Sequence, residues 1–265
     1  MHPLLNIAVR AARTAGNTIA RAAERLDSYG VSLKGKNDYV SEVDLLAEQD
    51  IVKVIRKAYP SHAILAEESG AHAGDDYQWI IDPLDGTTNF LHGFPQFAVS
   101  IAVQHKGELE HAVVYDPLRQ ELFTASRGAG AKLNDRRLRV TKAKGLDGTL
   151  LGTGFPFRKT EHLDAYLHMF KELTLLTAGI RRAGSAALDL AYVAAGRLDG
   201  FWEIGLAPWD MAAGALLITE AGGMVGDFGG GQDFLTTGNI VGGNPRVYKA
   251  LLKTLHPHLT AGLEK

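Results

Sequence analysis

The stretch Trp79-Ile80-Ile81-Asp82-Pro83-Leu84-Asp85-Gly86-Thr87-Thr88-Asn89-Phe90 decides how the rest of the chain is read. Trp79 to Ile81 is an apolar run of the kind that forms a short buried strand. Two carboxylates follow it, parted by Pro83-Leu84, and Gly86-Thr87-Thr88 then makes a sharp turn that supplies hydroxyls and free backbone N–H groups. A strand that delivers acids to a turn is how α/β proteins place chemistry at the carboxyl ends of their sheets.

Carboxylates held close together repel, so a buried pair shares a proton or binds a cation. Pro83 fixes its own φ and stiffens the bend, which lets Asp82 and Asp85 converge on one centre. Oxygen ligands suit a hard cation, Mg2+ before Zn2+, and the chain has no cysteine to argue for a softer one. If Gly86-Thr87-Thr88 opens a helical turn, its amides face an anion. Metal-binding acids beside an anion-binding turn point to phosphoryl chemistry. Each acid alone is also an ordinary turn residue, since Asp-Pro and Asp-Gly are common turn dipeptides; the weight lies in the whole pattern.

Asp82 to Phe90 resembles the central motif of the inositol monophosphatase family. Ala66-Glu67-Glu68-Ser69 upstream and Pro208-Trp209-Asp210-Met211-Ala212-Ala213-Gly214 downstream resemble two more family motifs, in the family's order. The likeness runs from the opening Met1–Arg13 to Gly243-Asn244-Pro245 and is nearest to the bacterial members. It implies a layered α–β–α–β–α sandwich of the sugar-phosphatase type that inositol monophosphatases share with fructose-bisphosphatases. An α+β half, residues 1–145, would carry Glu67 and the central motif. An α/β half, residues 146–265, would carry Glu203 and Asp210, with the site between the two in one integrated unit.

The same resemblance implies the roles. Glu67, Asp82 and the backbone carbonyl of Leu84 would bind one Mg2+, and Asp82, Asp85 and Asp210 a second, with a third, weaker ion near Glu67. Glu67 and Thr87 would orient a metal-activated water that attacks the phosphate directly, and Asp44 would accept a bond from Thr87. The phosphate would lie on the N–H groups of Gly86 and Thr87, with Asp210 beside the leaving oxygen. The polyol would be read by Asp85, Gly184-Ser185-Ala186 and Glu203. Lys34 or Lys36 would stand near the entrance. Expected from resemblance alone are hydrolysis of inositol 1-phosphate, lithium sensitivity, a homodimer, and, for bacterial members, partnership with RNA polymerase and Nus factors in ribosomal RNA transcription antitermination. The basic runs Arg136-Arg137-Leu138-Arg139 and Arg181-Arg182 are candidates for such contacts. Simpler readings stand beside these: Asp44 and Asp210 as helix-start acids facing the dipole, Ser185 as a helix cap, and Glu203 as a strand-end acid.

At 265 residues and 46% hydrophobic, the chain can bury a substantial core. A net charge of −2 favours neither nucleic acid nor an anionic membrane. No stretch approaches the roughly 18 apolar residues of a membrane span. Arg10 and Arg13 interrupt the N-terminal apolar face, so no signal peptide is read there. Zero cysteines exclude disulfides and fit a reducing compartment. These features together predict a soluble cytoplasmic protein.

Leu4, Ala8, Ala11, Ala15, Ile19, Ala22 and Leu26 recur at helical spacing and predict a helix over about 4–26. Ser41-Glu42-Val43-Asp44 predicts a capped helix running to Tyr59-Pro60. Ala63–Ala66 is strand-like and ends on Glu67-Glu68, and after the central motif Phe97–Gln104, Glu110–Tyr115 and Glu121–Ala125 make a meander. From about Gly148, strands Leu150–Thr153, Gly179–Arg182 and Gly200–Glu203 alternate with helices over 161–177, 186–195 and after Pro208, and a last helix spans Pro245–Leu255. Gly226–Gly231 reads as a mobile loop and His256-Pro257-His258 as a solvated tail.

Other chemistries lack their motifs. Gly30-x4-Gly35-Lys36-Asn37 misses the hydroxyl of a P-loop, and neither HExxH nor Gly-x-Ser-x-Gly occurs. An aspartyl-nucleophile phosphatase needs Asp-x-Asp, whereas two residues part Asp82 from Asp85. Same-fold alternatives, acting on a nucleotide 3′-phosphate, fructose bisphosphate or NADP, remain open from sequence; Glu203 favours polyol hydroxyls over a second phosphate.

Overall fold

The computed structural model describes residues 2–25, 30–35 and 38–264. The chain begins with helix α1 (Pro3–Ala23), strands β1 (Val31–Gly35) and β2 (Asp38–Ser41), and helix α2 (Glu42–Ala58). Next come β3 (Ala63–Ala66), β4 (Gly70–His72), β5 (Tyr77–Asp85), the short helix α3 (Thr87–Leu91), β6 (Ala98–His105) and β7 (Glu108–Asp116). The meander closes with β8 (Glu121–Ser126), β9 (Gly130–Leu133) and β10 (Arg136–Arg137). The remainder alternates: β11 (Leu150–Thr153), α4 (Leu163–Leu176), β12 (Gly179–Arg181), α5 (Ala186–Ala194), β13 (Gly200–Glu203), α6 (Pro208–Glu220), β14 (Met224–Gly226), α7 (Phe234–Thr237), β15 (Ile240–Gly243) and α8 (Pro245–Leu255).

Strands β10-β9-β8-β7-β6-β5-β3-β4 form one sheet, and β12-β11-β13-β15-β14 a second. The first is antiparallel except where β3 runs parallel to β5; in the second, β12, β11 and β13 are parallel and β15 and β14 antiparallel.

Alternation along the strands generates the layers. On β5 and β6, Trp79, Ile81, Val99, Ile101 and Val103 face the apolar stripes of α1 and α2. Their neighbours Ile80, Ala98 and Ala102 face α5 and α6. Phe201 and Ile240 of the second sheet pack on the other side of those same two helices. Trp202 and Val241 point away, onto α4 and α8. The result is the α–β–α–β–α sandwich, with no helix among the described residues long and apolar enough to cross a membrane.

The central helices approach closely because their contact residues are small. A Cβ on Gly214 of α6 would lie 2.4 Å from Leu190 Cβ of α5. Gly16 does the same for α1, where a Cβ would stand 2.5 Å from the Tyr115 ring.

Several expectations need correction. The strand at the central motif runs from Tyr77 through Asp85, so the acids belong to the strand and do not follow it; pairing with β6 resumes beyond an irregularity between them. Helix α1 ends at Ala23, and Leu26 lies outside the described residues. The glycine-rich segment is an ordered turn closed on buried Asp227, whose carboxylate accepts bonds from Gly231 N (2.7 Å) and Asp233 N (3.1 Å). His256–His258 forms a 3-10 turn that sets His258 against Glu172 of α4.

Replacing Gly214 by valine is expected to lower the stability read from the urea midpoint by about 1–3 kcal/mol, the usual cost of overpacking. Gly145→Ala, where a methyl meets nothing within 4 Å, is expected to stay within about 0.5 kcal/mol of the parent. Equal midpoints for Gly214→Val and the parent would show that the two helices are not in tight contact.

Candidate active site

Asp82 and Asp85 are three residues apart, so a regular strand would send them to opposite faces. Asp82 pairs with Ser100 and Asp85 with Ala98, three steps on β5 against two on β6. This bulge absorbs Pro83, which has no N–H to give the ladder, and turns the strand over by one residue. Leu84 accordingly joins the α1–α2 core, while both acids face α5 and α6. Asp82 Oδ1 accepts a bond from Leu84 N at 3.0 Å. Gly86, at φ 99°, ends the strand; a Cβ there would sit 2.8 Å from Gln96 O, so the turn into α3 requires glycine.

Behind the turn stands the capped start of α2. Ser41 Oγ accepts from Val43 N, and the Asp44 carboxylate accepts from Ser41 N at 2.9 Å, a capping box. Its other oxygen accepts from Thr87 Oγ1 at 2.8 Å, while Leu84 O lies 3.1 Å from the same hydroxyl. One hydroxyl has one proton, and the shorter contact to an anion takes it. Thr87 therefore keeps its lone pairs toward the cleft it lines.

Asp85 Oδ2 accepts from Ser185 Oγ (2.6 Å) and Ala187 N (2.7 Å), which fastens β5 to the start of α5. Asp210 Oδ2 accepts from Ala207 N at 2.7 Å at the start of α6. These contacts bring ligand atoms of Asp82, Asp85 and Asp210 within 4.8 Å of one another. They open on a cleft of about 440 Å³. Glu67, Leu84, Gly86 and Thr87 line it from the first sheet and the turn into α3, Gly184, Ser185 and Ala186 from the start of α5, and Glu203 from the second sheet. Glu67 borders the three-acid cluster without belonging to it. Lys36 and the side chain of Lys34 lie outside the described residues.

The electrostatics follow from burial and crowding. Asp82, 1% exposed, is held well above the carboxylate range by burial, then by Glu67, Asp85 and Asp210. Burial lifts Asp85 to about 6 against the opposing bonds from Ser185 and Ala187. Asp210 rises to about 7 through burial, then through the charges of Asp85 and Glu67. Burial likewise pushes Glu203 up, with Asp210 and Asp189 adding to it. The cluster offers only carboxylate oxygens, crowded out of water, and fits a hard divalent cation whose charge offsets their repulsion.

Three residues of the site escaped sequence reasoning. Glu48 of α2, 4% exposed, accepts from Glu68 N (2.8 Å) and Ser69 N (2.9 Å) and holds the loop that carries Glu67. Its signal was an acid on the apolar stripe Ala47-Ile51-Ile55. Asn89 Nδ2 donates to Gln96 O, Ala183 O and Gly184 O, tying α3 to the loop before α5. Asp189, buried on α5, lines the cleft; the stripe Leu188-Leu190-Ala191 around it gave no cue.

The sequence matches the inositol monophosphatase family over residues 1–260. The Nus factor SuhB of Pseudomonas aeruginosa is 63% identical, covering 100% of both chains. The crystal structure of the extragenic suppressor protein SuhB from Bartonella henselae superposes with a TM-score of 0.93 at 46% identity, over 96% of this chain and 98% of that one. The inositol monophosphatase from Anabaena gives 0.86 at 40% identity, over 96% and 95%.

A carboxyl whose folded pKa exceeds its unfolded value of about 3.9 withdraws stability as pH rises between the two. With Asp210 at about 7 and Asp85 at about 6, the metal-free protein should lose melting temperature from pH 5 to pH 8, and Mg2+ should restore it at pH 8. Asp210→Asn should raise the metal-free Tm at pH 8 by roughly 2–4 °C, the effect of ~1 kcal/mol in a chain of this size, and blunt the gain from Mg2+. Scanning calorimetry in EDTA and in Mg2+ checks this; a Tm indifferent to pH and metal would contradict it.

Proposed function

The chain belongs to the inositol monophosphatase family, and from that premise we propose that its cleft hydrolyses phosphate monoesters with Mg2+, myo-inositol 1-phosphate foremost. The gathering of Asp82, Asp85 and Asp210 beside the Thr87–Asp44 pair is the observation that carries this reading. Asp82, Asp85 and Asp210, with Glu67 and the Leu84 carbonyl, would hold the cation. When bound, Mg2+ supplies Lewis-acid polarisation of the phosphoryl oxygens and acidifies water.

The chain's own groups then divide the work. Asp44 draws the Thr87 proton to itself, so Thr87 accepts a hydrogen bond from the attacking water and fixes its orientation. Glu67, half-buried at the end of β3, takes up the water proton as the new P–O bond forms. The amides of Gly86 and Thr87 receive phosphate oxygens. The leaving alkoxide departs on the side of Asp210, and the proton returns to it to give the alcohol. Ser185 and Glu203 face the alcohol.

A second role is supported by the 63% identity with a protein called Nus factor SuhB. We assign the chain a place with RNA polymerase and Nus factors, through the exposed Arg136 and Arg137 of β10.

Asp82→Asn is expected to cut kcat/KM on myo-inositol 1-phosphate by roughly 10³-fold or more, and Thr87→Val by roughly 10²-fold, as for loss of a positioned acid–base or polar group; far-UV circular dichroism should not change. In a screen with Mg2+, faster turnover of fructose bisphosphate, a nucleotide 3′-phosphate or NADP would displace the polyol assignment. Asp82→Asn should still capture purified RNA polymerase, and Arg136→Glu/Arg137→Glu should not; capture by both moves the contact away from β10, and capture by neither variant nor the parent removes the transcription assignment.

A further inference from the structure

The buried acids of the cleft fall into two sets. Asp82, Asp85 and Asp210 each accept a bond from the protein itself, from Leu84 N, from Ser185 Oγ and Ala187 N, and from Ala207 N respectively. Asp189 and Glu203, only 2% and 7% exposed, line the same cleft, yet among the described residues neither carboxylate receives a hydrogen bond from the protein. Carboxylate oxygens that meet the cleft and take no donor from the chain leave their lone pairs to a ligand's hydroxyls.

Their placement is built by glycines on the facing strand. A Cβ on Gly154 would fall 1.8 Å from Glu203 Oε1, and one on Gly152 would meet Asp189 Cβ at 3.5 Å. The two acids therefore flank the end of β11, Glu203 from β13 and Asp189 from α5. Arg182 also lines the cleft, its guanidinium 5.1 Å from the Phe155 ring centroid, and its positive charge acts on both carboxylates. A hydroxyl both donates and accepts, so it pairs with an acid in either protonation state.

We propose that Asp189 is a specificity-determining residue, which together with Glu203 seats two hydroxyls of a polyhydroxylated alcohol. The proposal rests on the phosphatase reading of the cleft, polyol ester included, and adds to it the residue Asp189. A site whose buried polar groups are left unpaired by an analogue rejects that analogue strongly.

The test compares myo-inositol 1-phosphate with cyclohexyl phosphate, an ester of the same ring without hydroxyls. Wild type is expected to prefer the inositol ester. In Asp189→Ala the ratio of the two kcat/KM values should fall roughly 10- to 100-fold, as for loss of one hydrogen bond to a charged group, with the change in KM. Asp189→Asn, of the same shape, should show a smaller fall and serves where the alanine variant does not fold. A residue that merely supports the helix would lower both rates and leave the ratio alone. A ratio unchanged within about twofold in both variants, with both esters turned over, overturns this inference and leaves the phosphatase reading standing. Turnover of neither ester by wild type with Mg2+ overturns both.

Discussion

Three carboxylates that repel one another are held inside the protein, and the rest of the architecture answers to that constraint. Unit charges 4.8 Å apart at an effective dielectric of ~20 repel by about 3.5 kcal/mol per pair. Asp82 and Asp85 come from one strand and Asp210 from a helix more than a hundred residues later, so nothing local keeps them together. Backbone amides at Leu84, Ala187 and Ala207, and the Ser185 hydroxyl, each donate to one of them. Those bonds offset part of the repulsion and leave the remaining lone pairs within reach of a common point, where a divalent cation would offset the rest.

Rigidity of the central layer makes the arrangement persistent. Helices α5 and α6 are covered by a sheet on each side, and α6 is buried almost continuously from Asp210 to Ile218. Both sheets pack into one cluster through them. The acids cannot relax apart without displacing a layer that touches both sheets. Asn89 adds a polar strap across the same seam by donating to Gln96, Ala183 and Gly184. The site is thus preorganised by apolar packing and by polar ties such as Ser100 Oγ to Trp209 O.

Much of this was legible in the residues. The apolar spacing of α1, the Ser41–Asp44 cap, the alternation after Gly148 and the acid-turn pattern at Asp82–Thr88 all have local causes, and local causes show in a sequence. What stayed hidden depends on pairing between distant segments. The bulge at Pro83-Leu84 is defined by β6, so the strand looked as if it ended at Ile81. Glu48 and Asn89 act on backbone atoms 20 and up to 95 residues away, and no spacing rule connects them. Asp189 sits amid leucines and alanines that read as core. The glycine-rich turn looked mobile because its order comes from one buried carboxylate, Asp227, and not from its glycines.

Distance within the first sheet bears on whether the two proposed roles interfere. Arg136 and Arg137 lie on β10, at one edge of that sheet, and the acids lie on β5, five strands away. At about 4.8 Å per strand the separation is roughly 24 Å, some three Debye lengths at physiological salt, of ~8 Å each. Exposed charge at that edge therefore exerts little direct force on the cleft. Mechanical coupling would have to pass through β6 to β9, of which β6 and β7 are held between α1 on one face and α5–α6 on the other, while β8 and β9 rest on α6. Strands packed on both faces resist displacement, so β6 and β7 separate the edge from the acids. Catalysis and partner binding are on this argument independent properties of one scaffold, and a chain can carry either without the other.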